Sequence, residues 1–127
     1  MAKYPFTCAL VTGASSGIGH EMAIQLATSG VHVIAVARRA DRLEQLASQF
    51  KNVEVMVADL TSATGLASVE ARIADATKTP IDLVVNNAGF GSSGLMHEIH
   101  VDRLSREVQL NVGALTRLSH AAIRAMV

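Results

Sequence analysis

Four short hydrophobic runs alternate along the chain with segments of helical periodicity. The runs are residues 6–11, 31–36, 53–57 and 81–85. Each contains β-branched residues and has the length of a buried strand. The clearest helical segment is residues 41–50, whose apolar residues at i, i+3, i+4 and i+7 are Leu43, Leu46, Ala47 and Phe50. This spacing gives one core-facing stripe.

The other predicted helices lie in the same alternation. Residues 20–29 follow the first run with a helical pattern, and Thr61 or Ser62 can cap the helix after the third run. Pro80 marks the break before the fourth run, and Asp102 can open the last helix. That helix carries an apolar stripe formed by Leu104, Val108, Leu115, Leu118, Ala122 and Met126.

Four β-then-α units in succession are typical of an α/β fold. Strands joined by helices pair in parallel, and helices then cover both faces of the sheet, which suits strands that are hydrophobic along their whole length. We therefore predict a Rossmann-like doubly wound parallel sheet with three α/β/α layers. No linker or repeat divides the 127 residues, so the prediction is a single domain, residues 1–127.

A glycine-rich turn joins the first predicted strand to the first helix. Its sequence, TGASSGIG, covers residues 12–19, and in doubly wound sheets this turn is the usual phosphate site. Gly13 and Gly17 allow tight or left-handed backbone close to a pyrophosphate, and Gly19 lets the helix approach the strand. Backbone amides near Gly17 and Ile18, with the hydroxyls of Ser15 and Ser16, would face the anion. The alternative is a purely structural glycine connection.

Composition narrows the class of protein. The chain has 11 basic and 11 acidic residues and 3% aromatic residues, so neither a general field nor a stacking surface favours nucleic acid. Its single cysteine, Cys8, cannot form an internal disulfide, and no residues with metal-ligand spacing suggest a zinc site. The apolar run near the N-terminus is too short for a signal peptide or a membrane span. We expect a cytoplasmic protein without a metal.

The spacing Gly13-x3-Gly17-x-Gly19 resembles the T-G-x3-G-x-G motif of short-chain dehydrogenases/reductases. Three further motifs follow in the order found in that family: VADLT, NNAG and QLNVGALTRL. The resemblance covers about residues 6–127 and implies an oxidoreductase that uses a nicotinamide dinucleotide. It places Asp59 and Leu60 near adenine and Asn87, Ala88 and Gly89 beside the ribose. It also implies that Asn111 is the active-site asparagine, which orders a proton-relay water.

Residues after the second run predict which nicotinamide cofactor is bound. Ala37 stands where NAD-dependent relatives usually carry an acid, and Arg38 follows it. A guanidinium can form two hydrogen bonds to a 2′-phosphate and can stack on adenine. We expect NADP(H) in preference to NAD(H), with Arg38 as the main contact, Arg39 as a second, and Arg42 as a solvated charge.

The other catalytic residues of the family are absent from this sequence. Resemblance implies a serine and a Tyr-x3-Lys pair, but the one tyrosine, Tyr4, has Cys8 at the fourth position after it. The sequence therefore resembles the first half of a longer protein, truncated after the fourth β-α unit. We expect the fourth strand to be a bare hydrophobic edge that aggregates or pairs with a partner.

The predicted function is that of an NADP(H)-dependent oxidoreductase acting on a small carbonyl or alcohol, with this chain alone only binding the cofactor. A non-enzymatic dinucleotide-binding sensor or scaffold is an alternative. An extended-type epimerase or dehydratase is a third reading, which the glycine spacing disfavours. The helix over residues 102–127 offers either a homodimer or homotetramer contact or a face that packs on its own sheet.

Overall fold

A computed structural model describes residues 3–127 and contains one parallel sheet. Its strands are β1 (Cys8–Thr12), β2 (His32–Ala37), β3 (Val53–Val57) and β4 (Leu83–Val85). The strand order is β3-β2-β1-β4, and every neighbouring pair is parallel. The predicted α/β class and parallel sheet are confirmed.

The helices follow the strands in the predicted alternation. They are α1 (Gly17–Thr28), α2 (Ala40–Gln49), α3 (Ala63–Ala74), α4 (Val101–Val108) and α5 (Leu115–Met126), with a π-helical run, Gln109–Ala114, between the last two. Ser62, rather than Thr61, caps α3, since its hydroxyl oxygen accepts the amide of Gly65 at 3.0 Å. The predicted opening of α4 at Asp102 is one residue late, and its amide donates to Nδ1 of His100.

Two hydrophobic clusters cover the two faces of the sheet. Alternate side chains of β1 belong to opposite clusters: Ala9 and Val11 pack with α1 and α2, and Cys8 and Leu10 pack with α3 and α5. This alternation follows from the two-residue period of a strand. Helices therefore lie on both sides of the sheet, which confirms the three-layer arrangement.

The strands β1 and β4 begin later than their hydrophobic runs predict. The carboxylate of Asp82 accepts the amides of Thr7 at 2.9 Å and Cys8 at 3.0 Å. A side chain thus takes backbone donors at the point where the two strands first meet, and regular pairing of β4 begins at Leu83. A hydrophobicity pattern does not predict that a side-chain carboxylate takes the place of strand carbonyls as the acceptor.

The edge formed by β4 is less bare than expected. Within residues 3–127 β4 pairs on one side only, with β1, but its three side chains are half-buried because both core clusters reach it. The groups left without a neighbouring strand at this edge are therefore backbone N–H and C=O groups of β4, and its side chains are partly covered.

The predicted single stripe on the last helix is wrong in part. Leu118 and Ala122 are buried against the sheet, whereas Val108, Leu115 and Met126 are 61%, 44% and 44% exposed. The sheet covers only the centre of a broad apolar surface. In addition, the backbone hydrogen bonds of the π-helical run span five residues instead of four, so the apolar stripe of α4 and that of α5 point in different directions. An apolar surface therefore remains on the outer side.

Candidate functional site

A cavity of about 670 Å³ opens at the carboxyl ends of the four strands. Segments that follow each strand contribute to its wall, together with one face of α4. Of the residues predicted to bind a cofactor, those lining it are Gly13, Ser15, Ser16, Ile18, Arg38, Arg39, Asp59, Leu60, Asn87, Ala88 and Gly89. Gly17, Gly19 and Asn111 are not in the wall. Residues far apart in sequence are thus brought to one edge of the sheet, where ligands bind in this class of fold.

The glycine-rich turn has the backbone that its sequence predicts. Gly13 has φ 65° and Gly17 has φ 60°, both in the left-handed region that glycine adopts without strain. No atom lies within 4 Å of the position a Cβ would take at Gly17. Gly13 lines the cavity, so the turn brings backbone without a side chain to the wall, and the space beside Gly17 is open.

Gly19 lies behind the cavity wall, where it permits close packing. A Cβ there would lie 2.2 Å from Nδ2 of Asn87 and 2.4 Å from the carbonyl oxygen of Gly13. The same amide nitrogen of Asn87 donates to the carbonyls of Thr12 and Gly13 at 3.2 and 3.3 Å. Gly19 thus leaves room for the amide group that ties the turn to the end of β4.

Thr12 is a residue that the sequence argument missed. Its hydroxyl oxygen accepts the amides of Asn87 at 3.0 Å and Ala88 at 2.9 Å, and the hydroxyl donates to Val85 at 3.3 Å. Its side chain therefore holds the segment after β4 against β1. A threonine at the end of an otherwise apolar strand could have indicated this role, because a buried hydroxyl needs hydrogen-bond partners.

The N-terminus of α1 keeps its donors free of side-chain caps. Ser16 is the N-cap residue, yet its side chain makes no capping bond. Among residues 3–127 the hydroxyls of Ser15 and Ser16 have no hydrogen-bond partner in the protein. The first amides of a helix lack intrahelical acceptors and carry the positive end of its dipole. Together these donors suit an anion at the mouth of the turn.

Positive charge gathers at the end of β2. Arg38 and Arg39 are exposed and line the cavity, whereas Arg42, predicted to be solvated, is exposed and outside the wall. Within the described chain neither Arg38 nor Arg39 forms an ion pair. Both guanidiniums are therefore available to a ligand.

Asp59, at the end of β3, is the one acidic residue in the wall. Its Oδ1 accepts the Thr61 hydroxyl at 2.7 Å and the Thr61 amide at 2.9 Å. These bonds, with smaller contributions from the charges of Arg38 and Arg106, hold the pKa of Asp59 below its usual value despite some desolvation. The group is a carboxylate at neutral pH.

The side chain of Asn111 is fully used by the backbone of the loop after β4. Its Nδ2 donates to the Phe90 carbonyl at 2.7 Å, and its Oδ1 accepts the Phe90 amide at 3.0 Å. Phe90 itself lines the cavity. Asn111 therefore acts on the site from behind, by fixing Phe90.

Two further arginines reach the cavity from α4 and were missed by the sequence argument. Arg103 stacks on the Phe90 ring with 5.1 Å from Cζ to the centroid, and it donates to Ser92 at 3.0 Å and Gly91 at 3.3 Å. Arg106, one turn later, also lines the wall. Their spacing of i, i+3 puts both on one helical face, which is the signal that could have found them.

Three other findings concern the remaining predictions. Tyr4 is half-buried against the core cluster beneath α1 and α2 and does not line the cavity. Cys8 is buried in β1. Among residues 3–127, His, Cys, Asp and Glu side chains form no group of three that could hold a metal ion, and no helix is long and apolar enough to span a membrane.

The chain is similar in sequence to known proteins of one family. Residues 7–127 match the family model described as short chain dehydrogenase. The chain is 36% identical over 122 residues to a 3-oxoacyl-[acyl-carrier-protein] reductase of Pseudomonas aeruginosa, with 93% of this chain and 49% of that enzyme covered. The chain spans about half the length of the curated relatives it matches.

Solved structures give the same result. A bulky-bulky ketone specific alcohol dehydrogenase from Comamonas testosteroni is 39% identical, with a TM-score of 0.87 over 93% of this chain and 48% of that one. A short-chain dehydrogenase from Sphingobium yanoikuyae in complex with NADPH is 38% identical, with a TM-score of 0.86 over 91% of this chain and 47% of that one. Because the family model spans nearly the whole chain and the glycine turn lies at the head of α1, the protein belongs to the short-chain dehydrogenase/reductase family.

Proposed function

We propose that the chain forms the cofactor-binding part of an NADP(H)-dependent oxidoreductase that acts on a small carbonyl or alcohol. The observation that carries the proposal is a left-handed glycine turn, helix amides without a side-chain cap and two arginines that form no ion pair within residues 3–127, all brought together at one cavity. The diphosphate of a dinucleotide suits the turn and the helix amides, and the 2′-phosphate of NADP(H) suits the arginines.

The residues present fit such a ligand. Gly13, Ser15 and Ser16, with the amides of Gly17 and Ile18, would hold the diphosphate, since backbone without Cβ atoms allows close approach. Gly19 keeps the turn close to the end of β4. These donors act on charge that every nicotinamide dinucleotide carries, so they give affinity without selecting between the two cofactors.

Selection between cofactors would come from the end of β2. Arg38, with Arg39, would bind the 2′-phosphate, and Ala37 leaves no carboxylate to bind a 2′-hydroxyl in its place. The Sphingobium relative was solved in complex with NADPH, which supports the same preference for this chain. Asp59 and Leu60 would lie beside adenine.

The other end of the cavity would receive the ribose and the nicotinamide. Asn87, Ala88 and Gly89 would border the ribose, and Phe90 is fixed there by Asn111. When bound there, the nicotinamide would supply the carbon, C4, that gives or takes a hydride. Asn111, whose side chain is bonded to Phe90, would order a proton-relay water at this end.

The 127-residue chain by itself is proposed to bind the cofactor without turnover. A proton donor must lie within hydrogen-bond reach of the reacting oxygen, and Tyr4 packs, half-buried, against the core cluster beneath α1 and α2 and does not line the cavity. A non-enzymatic dinucleotide sensor or scaffold is the second candidate, favoured by that same position of Tyr4.

Assembly and location complete the proposal. Val108, Val112, Leu115 and Ile123 are between 44% and 62% exposed, and such a patch favours a homodimer or homotetramer through residues 102–127. A cytoplasmic location is supported by Cys8, which is buried as a free thiol. Neither nucleic acid nor membrane is a proposed partner.

The test is a titration of the chain with NADPH and NADH, followed by nicotinamide fluorescence. We expect tighter binding of NADPH, and Arg38→Asp should weaken it roughly ten- to hundredfold, since a charge-assisted contact contributes about 1.5 to 3 kcal/mol. Arg42→Asp is the matched control because Arg42 is exposed on α2 and outside the cavity wall. Equal NADPH affinity of Arg38→Asp and the parent would refute the assignment.

A further inference from the structure

Arg106 brings an additional positive charge to the cavity from a separate element. It lies on α4, whereas Arg38 follows β2 and Asp59 follows β3, and all three side chains line the same wall. Within residues 3–127 the Arg106 guanidinium has no hydrogen-bond or ion-pair partner. It is therefore held near the cavity by its helix and not by a local contact.

Its neighbour Arg103 is occupied differently. The Arg103 guanidinium is bonded to Ser92 and Gly91 and stacked on Phe90. This makes Arg103 part of the loop structure, and its charge is tied to that loop. Of the two arginines on this face of α4, only Arg106 remains to act on charges across the cavity.

Asp59 is the charge that Arg106 can act on. Among residues 3–127 it is the one carboxylate in the cavity wall. Its pKa is lowered mainly by its bonds to Thr61, and the charges of Arg38 and Arg106 add smaller contributions in the same direction. A phosphate bound at Arg38 would share that environment with the carboxylate. Charges that share a solvent-exposed cavity repel one another weakly and in a salt-dependent way, so Asp59 would oppose a 2′-phosphate and would leave a 2′-hydroxyl unaffected.

We propose that Arg106 is a specificity-determining residue that neutralises Asp59 from α4, so that the adenine-side carboxylate does not oppose a 2′-phosphate at Arg38. The inference rests on the proposed NADP(H) function and deepens it. Arg106 acts through Asp59, and its contribution is a difference between the two cofactors and not a general gain in affinity.

The experiment measures dissociation constants for NADP⁺ and NAD⁺ by calorimetry on the parent chain and on Arg106→Gln. Exposed charge pairs contribute modestly, so we expect NADP⁺ binding to weaken roughly two- to fivefold. NAD⁺ binding should stay within about 1.5-fold, and the loss should shrink as salt is raised. Arg42→Gln removes the same charge outside the cavity wall and should leave the ratio of the two constants unchanged.

Two further variants separate this role from a structural one. Arg106→Lys keeps the charge and should restore most of the parent ratio. In an Asp59→Asn background, where Oδ1 can still accept from Thr61, Arg106→Gln should no longer change the ratio, because the repulsion it offsets is gone.

The outcomes are distinct. If the parent chain binds NADP⁺ selectively, two results would overturn the role of Arg106 and leave the proposed function standing. One is an unchanged ratio of the NADP⁺ and NAD⁺ dissociation constants in Arg106→Gln. The other is an equal change of that ratio when Arg106→Gln is made in the Asp59→Asn background. A parent chain that binds neither nucleotide overturns the proposed function and this inference together.

Discussion

Replacement of Gly19 by alanine tests how tightly the first turn is built. A Cβ at this position would lie 2.2 Å from Nδ2 of Asn87 and 2.4 Å from the Gly13 carbonyl oxygen, and real Cβ contacts do not come so close. Displacing the Asn87 amide from its bonds to Thr12 and Gly13 would remove only the first clash. The Gly13 carbonyl is backbone, so the turn or the head of α1 must move as well. Overpacking of this kind costs about 1 to 3 kcal/mol, which urea denaturation followed by circular dichroism would measure.

The same substitution should also weaken cofactor binding. Because Gly13 and the head of α1 carry the proposed diphosphate donors, a shift of either moves them relative to each other, and NADPH affinity should fall along with stability. Gly113→Ala is the matched control, since Gly113 is helical and has no atom within 4 Å of a built Cβ. There we expect no loss, and a gain of up to about 1 kcal/mol. If the Gly19→Ala chain were as stable as the Gly113→Ala chain, the turn would have room for a Cβ at residue 19, and the close packing inferred there would be wrong.

Two further predictions concern stability away from the cavity. Burial alone would raise the pKa of Glu54, but its hydrogen bond and ion pair with Arg72 at 3.1 Å outweigh burial and lower it. The stability from this pair is therefore present above the ordinary pKa of glutamate and lost as pH falls through the lowered value. Glu54→Gln should flatten the acid side of a stability profile measured by urea denaturation, and an unchanged slope would count against the pair. Ser62→Ala removes the acceptor for the Gly65 amide and should cost about 0.5 to 2 kcal/mol, whereas a variant that keeps parental stability would show that this cap contributes nothing.

The layered fold followed from the sequence because each of its elements has its own local pattern. The strand β3 begins and ends where the hydrophobic run does, and Leu43 and Leu46 of α2 are buried as the helical spacing predicted. The glycine turn was also predictable, since Gly13 and Gly17 are needed where the backbone takes positive φ. These features depend on residues close together in the chain.

Features that depend on distant pairing were not predictable from such patterns. Asp82 replaces strand bonds through the amides of Thr7 and Cys8, and a hydrophobicity pattern carries no information about that contact. The i, i+3 spacing of Arg103 and Arg106 puts them on one helical face, but it does not say which part of the protein that face meets. In the structure the face lines the cavity.

The position of Asn111 is an intermediate case. Its place in the last helical segment was expected, and it falls within the π-helical run Gln109–Ala114, which nothing in the apolar spacing indicated. Its two bonds to Phe90 were not predictable either. The active-site role that the resemblance implies stays a proposal.

The proposed function requires that the main-chain amides at the head of α1 contact the diphosphate of a nicotinamide dinucleotide. Amide chemical shifts of the ¹⁵N-labelled chain, recorded during titration with NADP⁺, report on this contact residue by residue. We expect the largest changes on the amides of Gly17, Ile18 and Gly19, with smaller ones at Arg38 and Asp59. Saturable binding that leaves the first three amides unmoved, or no binding of NADP⁺ or NAD⁺ at all, would overturn the proposal.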